Sequence, residues 1–137
     1  MNTVEQVSFK TEGYQIVNIS DTIQEFVNHH KFVKGLVNLS ILHTSASLTV
    51  QENASKDVLS DIKTFLSGLA PEYANYLHDV EGPDDMPSHI KMALTRTSES
   101  IPIENGRLAL GTWQGVFLWE HREIANSRNI IVSLQGV

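Results

Sequence analysis

The sequence predicts an α+β protein: one domain spanning residues 1–137, a largely antiparallel sheet or sandwich packed with two or three helices. Three observations carry this prediction. Stretches of alternating apolar and polar residues mix with stretches of helical period, without the regular strand–helix alternation that builds a parallel sheet. Asn105-Gly106 sits between two apolar runs, which signals a tight antiparallel hairpin. A length of 137 residues suits a single core without disulfide or metal staples.

Residues 3–9 and 13–19 read as strands, with Glu12-Gly13 as the turn between them. Asp21-Thr22-Ile23-Gln24 resembles a capping box, and the helix after it puts Ile23, Phe26 and Val27 on one stripe. Gly35 opens a strand in which Val37, Leu39 and Ile41 alternate with Asn38 and Ser40, and Ala46, Leu48 and Val50 alternate again in the next. Residues 54–70 carry Val58, Leu59, Ile62, Phe65, Leu66 and Leu69 at the spacing of an amphipathic helix, stopped by Gly68 and Pro71, with Asn53 as its expected N-cap. A short helix is expected from about Ser88 to Leu94, capped by Ser88. Ile101-Pro102-Ile103 and Leu108-Ala109-Leu110 form the arms of the hairpin, and residues 112–120 and 129–135 are two further strands.

Composition narrows the function. Hydrophobic residues at 41% and charged residues at 19% suit a soluble globular protein, and no apolar run approaches the roughly 20 residues of a membrane span. The first residues have neither a basic start nor an apolar stretch, so a cytoplasmic address is expected. With 0 cysteines there is no thiolate ligand and no Cys nucleophile. A net charge of −6 argues against nucleic acid as a general partner, since phosphate backbones need a basic face. All the arginines (Arg96, Arg107, Arg122, Arg128) lie in the last third, so a small anionic ligand stays compatible with an acidic chain.

The densest chemistry lies between His78 and His89, where two imidazoles bracket Asp79, Glu81, Asp84 and Asp85, and Gly82, Pro83 and Pro87 keep the segment irregular. Imidazoles with carboxylates suit zinc and similar ions, whereas a solvated acidic loop is the plainer alternative. His43 ends a predicted strand and opens His43-Thr44-Ser45, where hydroxyls could hold an anion and the imidazole a metal. A turn in which Thr44 and Ser45 cap their own backbone reads the same residues more simply. Glu52 is a helix-start partner or a general base. Arg122 sits where a strand meets a loop and is the best anion-binding candidate, its alternative being a salt bridge to Glu120 or Glu123. Gly111 and Gly115 beside Trp113 suggest close backbone approach. No nucleotide-binding, nucleophile-elbow or HExxH motif occurs.

Four ordered motifs, His43-Thr-Ser-Ala-Ser-Leu-Thr-Val-Gln-Glu-Asn53, Glu81-Gly-Pro-Asp-Asp-Met-Pro-Ser-His-Ile-Lys91, Ile103-Glu-Asn-Gly-Arg107 and Gly111-Thr-Trp-Gln-Gly-Val-Phe-Leu-Trp-Glu-His-Arg122, resemble the YjbQ family, also called the secondary thiamine-phosphate synthase enzyme family. The resemblance runs over essentially the whole chain and is nearest to bacterial members. It implies a homotrimer with histidine metal ligands near subunit boundaries: His43, His78 and His89, holding a divalent metal, expected to be zinc. It implies Arg122 against a phosphate; on the reading of the residues themselves, Thr44 and Ser45 are expected to add hydroxyl donors there, and Glu52 or Asp85 to serve as acid/base or as an orienting group. The implied activity is a weak thiamine-phosphate synthesis, joining hydroxymethylpyrimidine diphosphate to a thiazole phosphate. The dedicated synthase is a (β/α)₈ barrel of about 250 residues, so any shared activity would be convergent. The alternative is a non-catalytic trimer that binds a metal or a phosphorylated metabolite, and another is a structural trimer whose histidines only satisfy hydrogen bonds.

Overall fold

The computed structural model describes residues 1–137 as two antiparallel sheets with three helices. The strands are β1 (Asn2–Thr11), β2 (Ile16–Asn18), β3 (Gly35–Ile41), β4 (Ala46–Glu52), β5 (Ser98–Glu104), β6 (Arg107–Leu108), β7 (Gln114–Glu120) and β8 (Asn126–Gly136), and the helices are α1 (Ser20–His29), α2 (Lys56–Leu69) and α3 (Asp85–Leu94). One sheet runs β1-β8-β3-β5-β6 and the other β2-β7-β4. The α+β reading holds. The inward residues of β3, β8, β4 and β7 meet Ile19, Ile23 and Val27 of the α1 segment in a single buried cluster. Alternation drives this: in β3, Val37, Leu39 and Ile41 are buried while Asn38 and Ser40 are not.

The predicted hairpin is present. Asn105 (φ 51°) and Gly106 (φ 77°) both take the left-handed conformation that a type I′ turn needs, and Ile103 faces Leu108 across it. The turn beside Glu12-Gly13 does separate two strands, although these pair elsewhere, β1 with β8 and β2 with β7. Local signals misled at other points. Helix α1 starts at Ser20, ahead of the capping-box residues, and Asn18 Oδ1 accepts the Ser20 N–H. Asn53 does not cap α2; its side-chain amide donates to the Gln114 carbonyl, and the helix begins after Ser55. Gly115 leaves room for Asn53 there, since a Cβ would lie 2.9 Å from the Asn53 Cβ. Trp113 and Trp119 share parity but differ in fate, because β7 starts only at Gln114: Trp119 is buried and Trp113 is exposed. Along α2 only Leu66 of the apolar stripe is buried, while Phe65 and Leu69 face outward.

A polar knot closes one end of the core. Glu120 ends β7 fully buried, and Arg128 of β8, also buried, pairs with both of its carboxylate oxygens. The Thr11 hydroxyl donates to Glu120 at 2.6 Å, and Arg128 Nη2 donates to Ser45 Oγ at 3.0 Å. Glu120 therefore pairs with Arg128 and not with the Arg122 side chain, although the Arg122 backbone N–H donates to its second oxygen.

Candidate metal centre

The site is made by α3 and the irregular chain before it. The helix starts at Asp85, one turn ahead of the expected Ser88, so Asp85 and His89 stand at i and i+4 on one face. Ser88 lies inside the helix, its hydroxyl between the Asp84 and His121 carbonyls at 2.6 and 2.8 Å. The loop after α2 folds back and sets the His78 ring 5.5 Å from the His89 ring, edge to face. Asp85 Oδ2 is 2.8 Å from His78 Nε2 and 3.2 Å from His89 Nε2. One ligand atom from each of the three residues falls within 4.8 Å of the others.

The tautomers at this cluster are constrained. His89 Nδ1 lies 2.7 Å from the Thr44 carbonyl, which can only accept, so Nδ1 carries a proton. Nε2 then faces the Asp85 carboxylate with either a second proton or a bare lone pair. Two lone pairs cannot share that 3.2 Å gap without a cation between them. A carbonyl holding the far nitrogen is the usual support for a metal-ligating histidine. The donor set would fit a divalent ion such as zinc, with two borderline nitrogens and one carboxylate oxygen, and the His78 side chain is half exposed.

The remaining predicted residues lie around this cluster or apart from it. Arg122 donates Nε to Asp84 at 2.8 Å, sits with Nη1 3.0 Å from Asp85 Oδ1, and donates Nη2 to the Glu81 carbonyl. Its guanidinium fixes the Asp85 carboxylate, and two carboxylates leave it little charge to offer a phosphate. Burial alone would raise the Asp84 carboxyl; the Arg122 hydrogen bond and the Glu123 N–H hold it below its ordinary value instead. His43 stands outside the three-residue cluster. Its Nε2 accepts the Asn129 N–H at 2.7 Å, and burial, then the Arg128 charge, lower its proton affinity. Thr44 supplies its carbonyl rather than its hydroxyl. Ser45 is buried against Arg128. Glu52 accepts the Ala54 N–H at 2.9 Å and borders a different cleft, of about 570 Å³, with Tyr14, Lys56, Lys63 and Phe117.

Sequence reasoning left several buried polar groups without a role. His121 is 1% exposed, its Nε2 meets Ser47 Oγ at 2.9 Å, and its Nδ1 has no partner. Burial, reinforced by the Lys91 and Arg128 charges, lowers its pKa to about 3. An unfolded imidazole titrates near 6.5, so on acidification the unfolded chain takes this proton first. The stabilisation is complete above pH about 6.5 and is lost as pH falls from there toward 3, at about 1.4 kcal/mol per pH unit. His121→Gln is therefore expected to flatten the loss of urea resistance between pH 7 and 5 by about one proton. An unchanged slope would assign the acid sensitivity to other groups.

This is a two-sheet α+β protein whose one clustered donor set is a His–Asp–His centre. The chain belongs to the YjbQ family: the family model "UPF0047 protein YjbQ-like" matches residues 5–137. It is 53% identical to a UPF0047 protein of Synechocystis sp., covering 92% of this chain and 86% of that one. It is 42% identical to the UPF0047 protein YjbQ of Escherichia coli O157:H7, over 95% of this chain and 94% of the relative. Among solved structures, a YjbQ/UPF0047 protein of Clostridium acetobutylicum superposes with a TM-score of 0.88 at 34% identity, covering 96% of this chain and 99% of that chain. No helix is long and apolar enough to cross a membrane.

Proposed function

We propose that the protein binds a divalent metal, zinc by donor type, through His78, Asp85 and His89, and acts there on a small phosphorylated molecule. The observation that carries this is the Asp85–His89 contact, in which a carboxylate oxygen faces an imidazole nitrogen whose ring already donates its other N–H to Thr44. Compared with the family-derived set, Asp85 takes the place of His43. Arg122 becomes the group that orients Asp85. When bound, the metal would neutralise charge on a phosphate or a departing diphosphate. His78 and His89 hold it, and Thr44 fixes the His89 tautomer. Weak thiamine-phosphate synthesis is the nominal reaction that family membership suggests, and a homotrimer the nominal assembly.

A second reading, a binder without turnover, is favoured by the full pairing of Arg122, which leaves the centre without a free arginine. Metal content of untagged protein, native and after refilling with zinc, tests the first claim. About one ion per chain is expected, and none in either preparation would sink it. Product release from hydroxymethylpyrimidine diphosphate and thiazole phosphate then separates enzyme from binder, because a binder saturates and yields no pyrophosphate.

A further inference from the structure

Lys91 is the one lysine the fold buries, at 6% exposed; burial disfavours its charge, and the Glu72 and Asp84 charges offset this only from a distance, with no direct ion pair. It sits two residues past His89 on α3, and so on a different side of the helix. Its ammonium makes no hydrogen bond and no ion pair; it faces the Tyr14 ring at 5.7 Å. A second ammonium, Lys63 of α2, lies 5.8 Å from the same ring. Both lysines line a cleft of about 370 Å³ together with Tyr14, Ser67, Glu72 and Tyr73. Glu72 is the cleft's one carboxylate, and the Tyr14 hydroxyl donates to it. Two cations thus line an open cavity whose one acid, Glu72, makes a direct ion pair with neither. A desolvated charge is costly unless it is paired, and the Lys63 charge further disfavours that of Lys91. A dianionic oxyanion between them removes both costs, and ammonium groups are established phosphate binders.

We propose that this cleft, between the C-terminal half of α2 and α3, binds the oxyanion group of a small metabolite, a phosphate or a carboxylate, on Lys91 and Lys63. Ser67 adds a hydroxyl at the rim. The cavity holds a molecule of a few rings at most, and Glu72 disfavours bulky polyanions. The site deepens the reading of a phosphorylated ligand by giving its phosphate a place away from Arg122, but its test stands apart from the metal.

The test is calorimetric titration of inorganic phosphate, diphosphate and acetate into EDTA-treated protein at fixed low ionic strength. Saturable phosphate or diphosphate binding is expected, weakened at least tenfold by Lys91→Met and severalfold by Lys63→Gln, and unchanged by Lys34→Gln on the surface. Acetate binding as tight as phosphate would name a carboxylate ligand for the same two lysines. Urea midpoints of the variants check folding; Lys63 is only half buried, so its variant serves if Lys91→Met unfolds. His89→Ala should titrate like the native protein. Native-like binding by both lysine variants, no binding by any of the anions, or loss of binding in His89→Ala would each overturn the proposal.

Discussion

Arg128→Ala is expected to destabilise the protein by about 3–5 kcal/mol, the typical cost of leaving one member of a buried ion pair alone. Glu120 is 0% exposed and would keep only the Thr11 hydroxyl and the Arg122 N–H as donors. For a domain of this size that loss corresponds to a melting temperature lower by roughly 10–20 °C. Glu120→Ala should cost a comparable amount, because it strands a guanidinium that is 5% exposed. Arg128→Lys should fall between, since one ammonium cannot span both carboxylate oxygens and Ser45. The Glu120→Leu/Arg128→Leu double variant separates pairing from packing: it removes both charges, and is expected to recover most of the loss. Thermal melts of the four proteins decide it. A double variant as unstable as the sum of its parts would mean that the two residues act independently and that their pairing is not what the single variants lose. The knot also reaches the proposed metal centre, because Arg128 holds Ser45 and the neighbouring Thr44 carbonyl orients His89. Arg128→Ala should therefore weaken metal binding as well as the fold.

The knot also shows what a single chain reveals by pattern. Periodicity located the strands and helices because alternation and helical spacing are local properties, and Asn105-Gly106 placed its hairpin because both residues tolerate positive φ. Pairing is not local. Nothing near Glu12-Gly13 says that β1 will seek β8 at the far end of the chain while β2 joins β7. Caps failed for a similar reason: Asn53 and Ser88 have suitable side chains, but tertiary partners at Gln114 and His121 claim them. The candidate site was half legible. His78 and His89 stood out because they bracket an acidic loop, and starting α3 at Asp85 brings that carboxylate between them. The Arg122 partners were not legible, since Glu120 and Glu123 are nearer in sequence than Asp84 and Asp85. Lys91 was not legible either, because the inward face of α3 is polar: Asp85, Ser88 and Lys91 are all buried, and no apolar period marks that face.

His89→Ala is the variant expected to change the proposed metal centre most. It removes a nitrogen donor together with the ring that Thr44 orients, whereas loss of a supporting group around a metal alone commonly weakens affinity about 10–100-fold. A fall in zinc affinity beyond about 100-fold is therefore expected, with little change in the urea midpoint, because His89 is partly exposed and belongs to no part of the apolar core. Asp85→Asn should be nearly as severe. It keeps the shape but withdraws the charge that faces both imidazoles and the Arg122 guanidinium. His43→Ala divides the two donor sets. If His43 is a ligand, the metal is lost as fully as in His89→Ala; if its role is to accept the Asn129 N–H, affinity stays within a few-fold of native while stability drops by about 1–3 kcal/mol. Affinity should also fall on acidification in the native protein, because imidazole must shed a proton to bind a metal. A zinc affinity that does not respond to pH, or that survives His78→Ala and His89→Ala together, would place the ion elsewhere and leave the Asp85–His89 contact as the ion pair of a protonated histidine.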